Sequence, residues 1–231
     1  MAETGAPAFR KLGSVPISGL YALTPDLLDS DELHSRVAEA LGAGVTAIQY
    51  RNKLASPPLK RAQALALRDL CSGQGATFIV NDDVDLAYAV DADGVHLGRD
   101  DAPLARARRR LGATAIIGAS CYNSLERAKT AVEEGADYIA FGSFFPSAIK
   151  PDAVRAQPSL IPAAKSRWNV CVVAIGGITL AAAPSLIAAG ADALAVVSAV
   201  FEAPDIAAAV KAFREAFGAP SEPVTRRAWT S

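Results

Sequence analysis

The chain has 231 residues, 51% of them hydrophobic and 20% charged, with a formal net charge of −1. That balance supports a large buried core and is unlike the apolar-poor, highly charged composition of a disordered chain. A near-neutral chain carries no broad positive field, so neither nucleic acid nor an anionic membrane is expected as a partner, and any anion site must be local.

The N-terminal segment places acidic and proline residues where a secretory signal needs an apolar run, and no segment is long enough to span a bilayer. Cys71, Cys121 and Cys171 are far apart and fit neither a disulfide framework nor a zinc-ligand spacing, as expected in a reducing cytoplasm. After residue 17, short β-branched runs alternate with segments of helical periodicity, the pattern of a parallel sheet with crossover helices. Strands are expected at 19–24, 45–50, 76–81, 93–97, 115–119, 137–142, 170–175 and 192–197. Glycines at Gly44, Gly135 and Gly190 recur between a helical segment and the next strand, a weak internal repeat that marks helix-to-strand turns. Eight β/α units in a chain near the roughly 250 residues of such a barrel imply an α/β fold, a single-domain (β/α)8 TIM barrel. The barrel is expected over 18–217, between flexible segments 1–17 and 218–231 rich in Pro, Gly and polar residues.

In such a barrel the residues that close each strand build the active site. Here these positions are polar. The second strand runs into Gln49, Tyr50, Arg51, Asn52 and Lys53, and the third into Asn81, Asp82 and Asp83. Gly98, Arg99, Asp100 and Asp101 follow the fourth, Ser120 the fifth, and Ser147 to Lys150 lie in the loop after the sixth. Two acidic loops beside Arg51, Lys53 and Lys150 suit a polyphosphate bound with Mg²⁺, which takes only one or two protein carboxylates and fills its shell with water and phosphate oxygens. Taken singly, Asp82 or Asp83 could instead cap the helix that follows Asn81, and Asp100 or Asp101 the helix near Pro103. Gly176 and Gly177 after the seventh strand, with Val197 and Ser198 after the eighth, suggest a second anion site bound through backbone N–H groups.

No Walker loop, Gly-x-Ser-x-Gly or His-Glu-x-x-His motif occurs. Of the two histidines, His34 reads as a surface residue and His96 as a packed strand residue. Arg106, Arg108, Arg109 and Arg110 read as a solvated helix end, Trp168 as helix-end packing and Trp229 as tail.

Taken in order, Tyr21–Asp26, Gln49–Lys53, Phe78–Asp83, Gly94–Gly98, Ala136–Gly142 and Ala174–Ile178 resemble the thiamine-phosphate synthase family, from about Leu20 to Val200. The ordered Gln-x-Arg-x-Lys and Asn-Asp-Asp pieces are the specific part. The resemblance implies condensation of 4-amino-2-methyl-5-hydroxymethylpyrimidine pyrophosphate with a thiazole phosphate, giving thiamine phosphate and pyrophosphate. It implies Mg²⁺ on Asp82 and Asp101, pyrophosphate on Arg51, Lys53, Asn81, Ser120 and Lys150, and Ser147 as a further substrate-binding residue. Gln49 would orient the pyrimidine, and Gly177, Val197 and Ser198 would receive the thiazole phosphate. The family's chemistry is ionisation to a pyrimidine-stabilised cation captured by a neutral ring nitrogen, which explains the thin acid/base machinery. A homo-oligomer stays open.

Three positions depart from the family pattern. Ile149 stands where a hydroxyl residue is usual, which could remove one charge-assisted hydrogen bond, roughly 1.5–3 kcal/mol. Arg99 replaces a usual glutamine. Tyr122 aligns with the histidine used by the related thiazole tautomerases, which favours the synthase. A tautomerase-like barrel enzyme and a non-catalytic thiamine-phosphate-binding paralog remain the alternatives.

Overall fold

A computed structural model describes residues 17–146 and 154–218. Eight strands run in chain order: β1 (Gly19–Leu23), β2 (Ala47–Tyr50), β3 (Thr77–Asn81), β4 (Gly94–Leu97), β5 (Ile116–Tyr122), β6 (Tyr138–Phe141), β7 (Cys171–Ile175) and β8 (Ala193–Val196). All neighbours pair in parallel, and β8 pairs with β1 to close the barrel. Helices α1 (Ser30–Gly42), α2 (Pro57–Gln74), α3 (Val84–Ala89), α4 (Leu104–Leu111), α5 (Leu125–Glu133), α6 (Leu160–Lys165) and α7 (Ala183–Ala188) follow β1 to β7 in turn. After β8 come a short α8 (Ser198–Phe201) and then α9 (Ile206–Ala216).

The expected strands are all present, most of them a residue or two shorter than the apolar runs. β5 departs in the other direction. It continues through Tyr122, with a register irregularity between Ser120 and Tyr122 against β6, so Ser120 lies within the strand rather than after it.

Local chemistry sets the helix boundaries. Asp29, Asp83, Ser124 and Asp205 each accept a backbone N–H from the first turn they cap. Two prolines, compatible with a helix's first turn, open α2, and Gly75 at φ 66° ends it.

Side chains alternate in and out along each strand. The inward set, including Tyr21, Ala47, Ile79, Ile116, Tyr138, Val173 and Ala193, fills the barrel interior, and Ile17 joins it from the segment before β1. The outward set packs against the helices and makes the larger core.

The helix-to-strand turns carry a further device. Asp93, Asp137 and Asp192, each just before an even-numbered strand, accept the backbone N–H of Phe78, Ile117 and Val172 in the preceding strand. At the equivalent place before β2, Thr46 Oγ1 donates to the Ser18 carbonyl. These latches sit at the N-terminal end of the barrel and tie the strands in pairs, which leaves the other end to chemistry.

Candidate active site

At the C-terminal ends of the strands the interior opens into a cavity of about 400 Å³. It brings together Gln49, Arg51, Lys53, Asn81, Asp82, Asp101, Ser120, Gly177, Val197 and Ser198, all of the expected site residues that the structure describes. Ser147, Ile149 and Lys150 lie outside the described residues.

The β2–α2 loop is held from beneath. Asp26 Oδ2 accepts from the Arg51 guanidinium at 2.7 Å, and Asp26 Oδ1 accepts from Lys53 N at 2.7 Å. Thr24 Oγ1 bridges the same turn, accepting from Arg51 N and donating to Arg51 O. Asn52, buried, donates to Leu27 O and accepts from the N–H groups of Leu54 and Ala55. These contacts aim Lys53 across the mouth, where its ammonium pairs with Asp82 at 2.9 Å.

The two adjacent aspartates after β3 divide their work. Asp83 caps α3 through Leu86 N. Asp82 takes φ 65°, a left-handed conformation that aspartate tolerates better than most side chains, and its N–H is held by His96 O. Its side chain is thereby turned into the cavity, and Asp101, whose Oδ2 accepts from Gly98 N at 2.7 Å, comes from the neighbouring loop after β4. The residue at the N-cap position of α4 is Pro103, so neither Asp100 nor Asp101 has that role.

The Asp82 and Asp101 carboxyls face one another closely enough to share a proton. Burial pushes Asp82 up, but the Lys53 ammonium and the bond shared with Asp101 bring it below the usual carboxylate range. Asp101 is held above that range by burial first and by the neighbouring Asp82, against the pull of the Gly98 N–H. Two carboxylates set together in this way fit a divalent cation, which would remove their mutual repulsion. The donor set is hard oxygen, and one or two carboxylates are what Mg²⁺ ordinarily requires.

On the far side, Gly176 (φ 96°) and Gly177 (φ 66°) turn the chain after β7. A Cβ on Gly176 would strike the Ser143 side chain, and one on Gly177 would strike the carbonyls of Phe145 and Pro146. Only glycine permits both the backbone angles and this close approach.

The buried floor joins Gln49, His96 and Ser120 into one chain of polar groups through Tyr21 and Tyr138, neither of which had a role legible in the sequence. Gln49 Nε2 donates to Tyr21 Oη at 2.7 Å, and Tyr21 Oη lies 3.0 Å from Tyr138 Oη. His96 joins Tyr138 Oη through Nδ1 at 2.9 Å and Ser120 Oγ through Nε2 at 2.8 Å. His96 is thus a packed strand histidine, as expected, but one that reaches a site residue. Asp26 was legible as part of a motif without a role. Arg155 was not legible at all: among the described residues, its Nη1 is the buried side-chain polar atom without a hydrogen-bond partner.

The remaining expectations concern residues at the edge of the site or beyond it. Arg99 lies over the Tyr122 ring, exposed at the rim. Arg106 and Arg110 pair with Asp85, and Arg108 with Asp137, so these helix-end cations are engaged locally. His34 is exposed and Trp168 packs on the core. Cys71 and Cys121 are buried, and desolvation pushes both thiols up to about 12, so neither is a thiolate nucleophile at neutral pH.

A closed parallel barrel with its polar residues gathered at the strand C-termini defines the class, a (β/α)8-barrel enzyme. The family described as thiamine monophosphate synthase matches residues 20–200. The thiamine-phosphate synthase of Azoarcus sp. strain BH72 is 55% identical over 189 residues, 82% of this chain and 92% of that protein. That of Chromobacterium violaceum is 51% identical over 203 residues, 88% and 98%. Among solved structures, the thiamine phosphate pyrophosphorylase of Pyrococcus furiosus is 38% identical with a TM-score of 0.77, covering 87% of this chain and 95% of that one. Orotidine 5'-phosphate decarboxylase from Pyrococcus horikoshii OT3 has a TM-score of 0.64 at 17% identity, covering 87% of this chain and 100% of that one, a likeness of fold alone. The chain belongs to the thiamine-phosphate synthase family and is a transferase. No helix among the described residues is long and apolar enough to cross a membrane.

Proposed function

We propose that the chain joins 4-amino-2-methyl-5-hydroxymethylpyrimidine pyrophosphate to a thiazole phosphate, releasing pyrophosphate and forming thiamine phosphate with the help of Mg²⁺. The observation that carries this reading is the Asp82–Asp101 carboxylate pair beside Lys53, across one cavity from the Gly176–Gly177 turn. A diphosphate and a monophosphate can therefore occupy opposite sides of the same mouth with the two rings between them.

Arg51 and Lys53 are both preorganised by Asp26, which reduces the ordering needed when an anionic leaving group arrives. Their positive charge, with a hydrogen bond from Ser120, stabilises the negative charge that grows on the departing pyrophosphate. Bound Mg²⁺ would supply Lewis-acid neutralisation of that same charge, held by Asp82 and Asp101. Gln49, only 2% exposed, is fixed at the floor where it can orient the pyrimidine. Gly177 N–H, Val197 and Ser198 receive the thiazole phosphate. The nucleophilic ring nitrogen carries no proton to remove, so the reaction needs alignment and charge stabilisation rather than a base.

The tautomerase reading is less well supported, because Tyr122 occupies the aligned histidine position and its hydroxyl accepts from Arg99 N at 3.4 Å. A cytoplasmic location belongs to the same proposal. Incubating the purified protein with both phosphorylated halves, with and without Mg²⁺, tests it. Stoichiometric thiamine phosphate and pyrophosphate are expected only with the metal. Tight binding of thiamine phosphate without any turnover would instead identify a non-catalytic binding protein.

A further inference from the structure

The barrel floor contains a continuous row of polar groups, Gln49–Tyr21–Tyr138–His96–Ser120, that crosses the interior from β2 to β5. Its links measure 2.7, 3.0, 2.9 and 2.8 Å. Tyr21 and Tyr138 are fully buried, and their rings meet edge to face with centroids 6.1 Å apart. Tyr138 stacks on His96 at 5.5 Å with 22° between the rings. Gly118, on the strand between them, makes this contact feasible, since a Cβ there would lie inside the Tyr138 ring.

Proton counting gives the row a direction. Each tyrosine has one hydroxyl proton, and a neutral imidazole has one N–H. Gln49 Nε2 donates to Tyr21, and the arrangement that leaves no buried proton without an acceptor in the row sends the Tyr21 proton to Tyr138 and the Tyr138 proton to His96 Nδ1. His96 then carries its proton on Nε2 and donates to Ser120 Oγ, leaving the Ser120 hydroxyl proton free to point into the cavity. Gln49 Oε1 is left facing the mouth as an acceptor. Reversing the Tyr21–Tyr138 link reverses both His96 links and leaves the buried Tyr21 proton without an acceptor in the row unless the Gln49 amide flips, with its NH₂ then facing the mouth. Ser120 would then present only lone pairs, the wrong polarity for a neighbouring anion. An anion at Ser120 and an acceptor at Gln49 are therefore two ends of one arrangement.

We propose that this row is a polarised hydrogen-bond relay that locks the Gln49 amide oxygen toward the mouth and so selects a pyrimidine bearing an amino group over its oxo counterpart. Tyr138 and His96 act as positioning residues. The inference rests on the reaction proposed above. An amino group donates to Gln49 Oε1, whereas an oxo group in the same place sets two acceptors face to face.

Tyr138→Phe cuts the relay at a residue removed from the cavity lining. The assay compares kcat/KM for the aminopyrimidine pyrophosphate and for its 4-oxo analogue, in wild type and variant. The amino-to-oxo preference should fall by roughly tenfold or more, the scale expected for one lost orienting hydrogen bond. A purely structural defect would lower both values together and leave their ratio unchanged, which would overturn the relay. Independently of activity, ¹⁵N NMR of wild-type protein should show the neutral Nε2–H tautomer of His96, with His34 as the one other histidine signal to assign. A neutral Nδ1–H tautomer or a doubly protonated ring would equally overturn it. If wild type forms no product from the aminopyrimidine substrate, the proposed reaction fails, while the tautomer still decides the relay.

Discussion

Replacing each of the neighbouring aspartates in turn separates metal binding from helix capping. Asp83→Ala removes the acceptor for Leu86 N, a 2.8 Å bond at the start of a six-residue helix. A lost cap costs about 1 kcal/mol, which for a domain of this size lowers Tm by ~2–4 °C. Catalysis should survive. Asp82→Asn keeps the volume but removes one of the two facing carboxylates. A doubly charged ion and a carboxylate about 4 Å apart attract by ~8 kcal/mol at an effective dielectric near 20 and by ~2 kcal/mol at that of bulk water. The Asp82 side chain is 32% exposed, so solvent screens part of that attraction. The well-screened end of that range, ~2 kcal/mol, corresponds to roughly a thirtyfold weaker apparent Kd for Mg²⁺. Tm should barely move, because the lost ion pair with Lys53 is exposed and contributes at most about 1 kcal/mol. Mg²⁺ titrations of the rate, read beside melting curves, distinguish the two. A normal Mg²⁺ requirement in Asp82→Asn, or a lost one in Asp83→Ala, would refute the division of roles.

Gly177→Ala adds about 1–2 kcal/mol of left-handed strain and displaces the Phe145 and Pro146 carbonyls. The KM for the thiazole phosphate should rise about tenfold or more, with that for the pyrimidine pyrophosphate within about twofold; equal increases would contradict two separate anion halves. Asp137→Ala orphans Ile117 N and breaks the Arg108 pair, which should cost about 2–3 kcal/mol and ~5–10 °C in Tm. Activity at low temperature should be retained, since this latch is at the opposite end from the mouth. The carboxyl pair predicts a pH dependence of metal stabilisation. Asp101, with its folded pKa raised, contributes stability that is present below the unfolded value of ~3.9 and lost as pH rises through the raised one. Asp82, with its folded pKa lowered, contributes stability present above ~3.9 and lost as pH falls through the lower value. Mg²⁺ bound as proposed would replace the proton on Asp101, so it should lift Tm more near neutrality than at pH ~4.5; an equal lift would place the metal elsewhere.

The barrel was legible because its signals are local. Eight β-branched runs and recurrent helix-ending glycines fix the elements, and parallel closure follows from their number. Residues at strand ends were legible for the same reason: a polar side chain closing an apolar run stands out. Local pattern alone does not tell Asp82 from Asp83, and only the family resemblance singles out Asp82, because the distinction depends on a left-handed backbone at Asp82 and a hydrogen bond from its N–H to a neighbouring strand. The same holds for Ser120, which the longer β5 keeps on the strand, and for Tyr138, whose hydroxyl meets Tyr21 across 117 positions of sequence. Contacts of that range leave no periodicity to read.

The latches at the base tie β1 to β2, β3 to β4, β5 to β6 and β7 to β8. The joints from β2 to β3 and from β4 to β5 carry none of these latches, yet Lys53–Asp82 spans the first at the mouth and His96–Ser120 the second. A diphosphate held by Lys53, Asn81 and Ser120 would therefore act as a keystone across both joints. Substrate occupancy should be felt as mechanical closure of the arc from β1 to β6, including hydrogen-exchange protection at strands the ligand never touches.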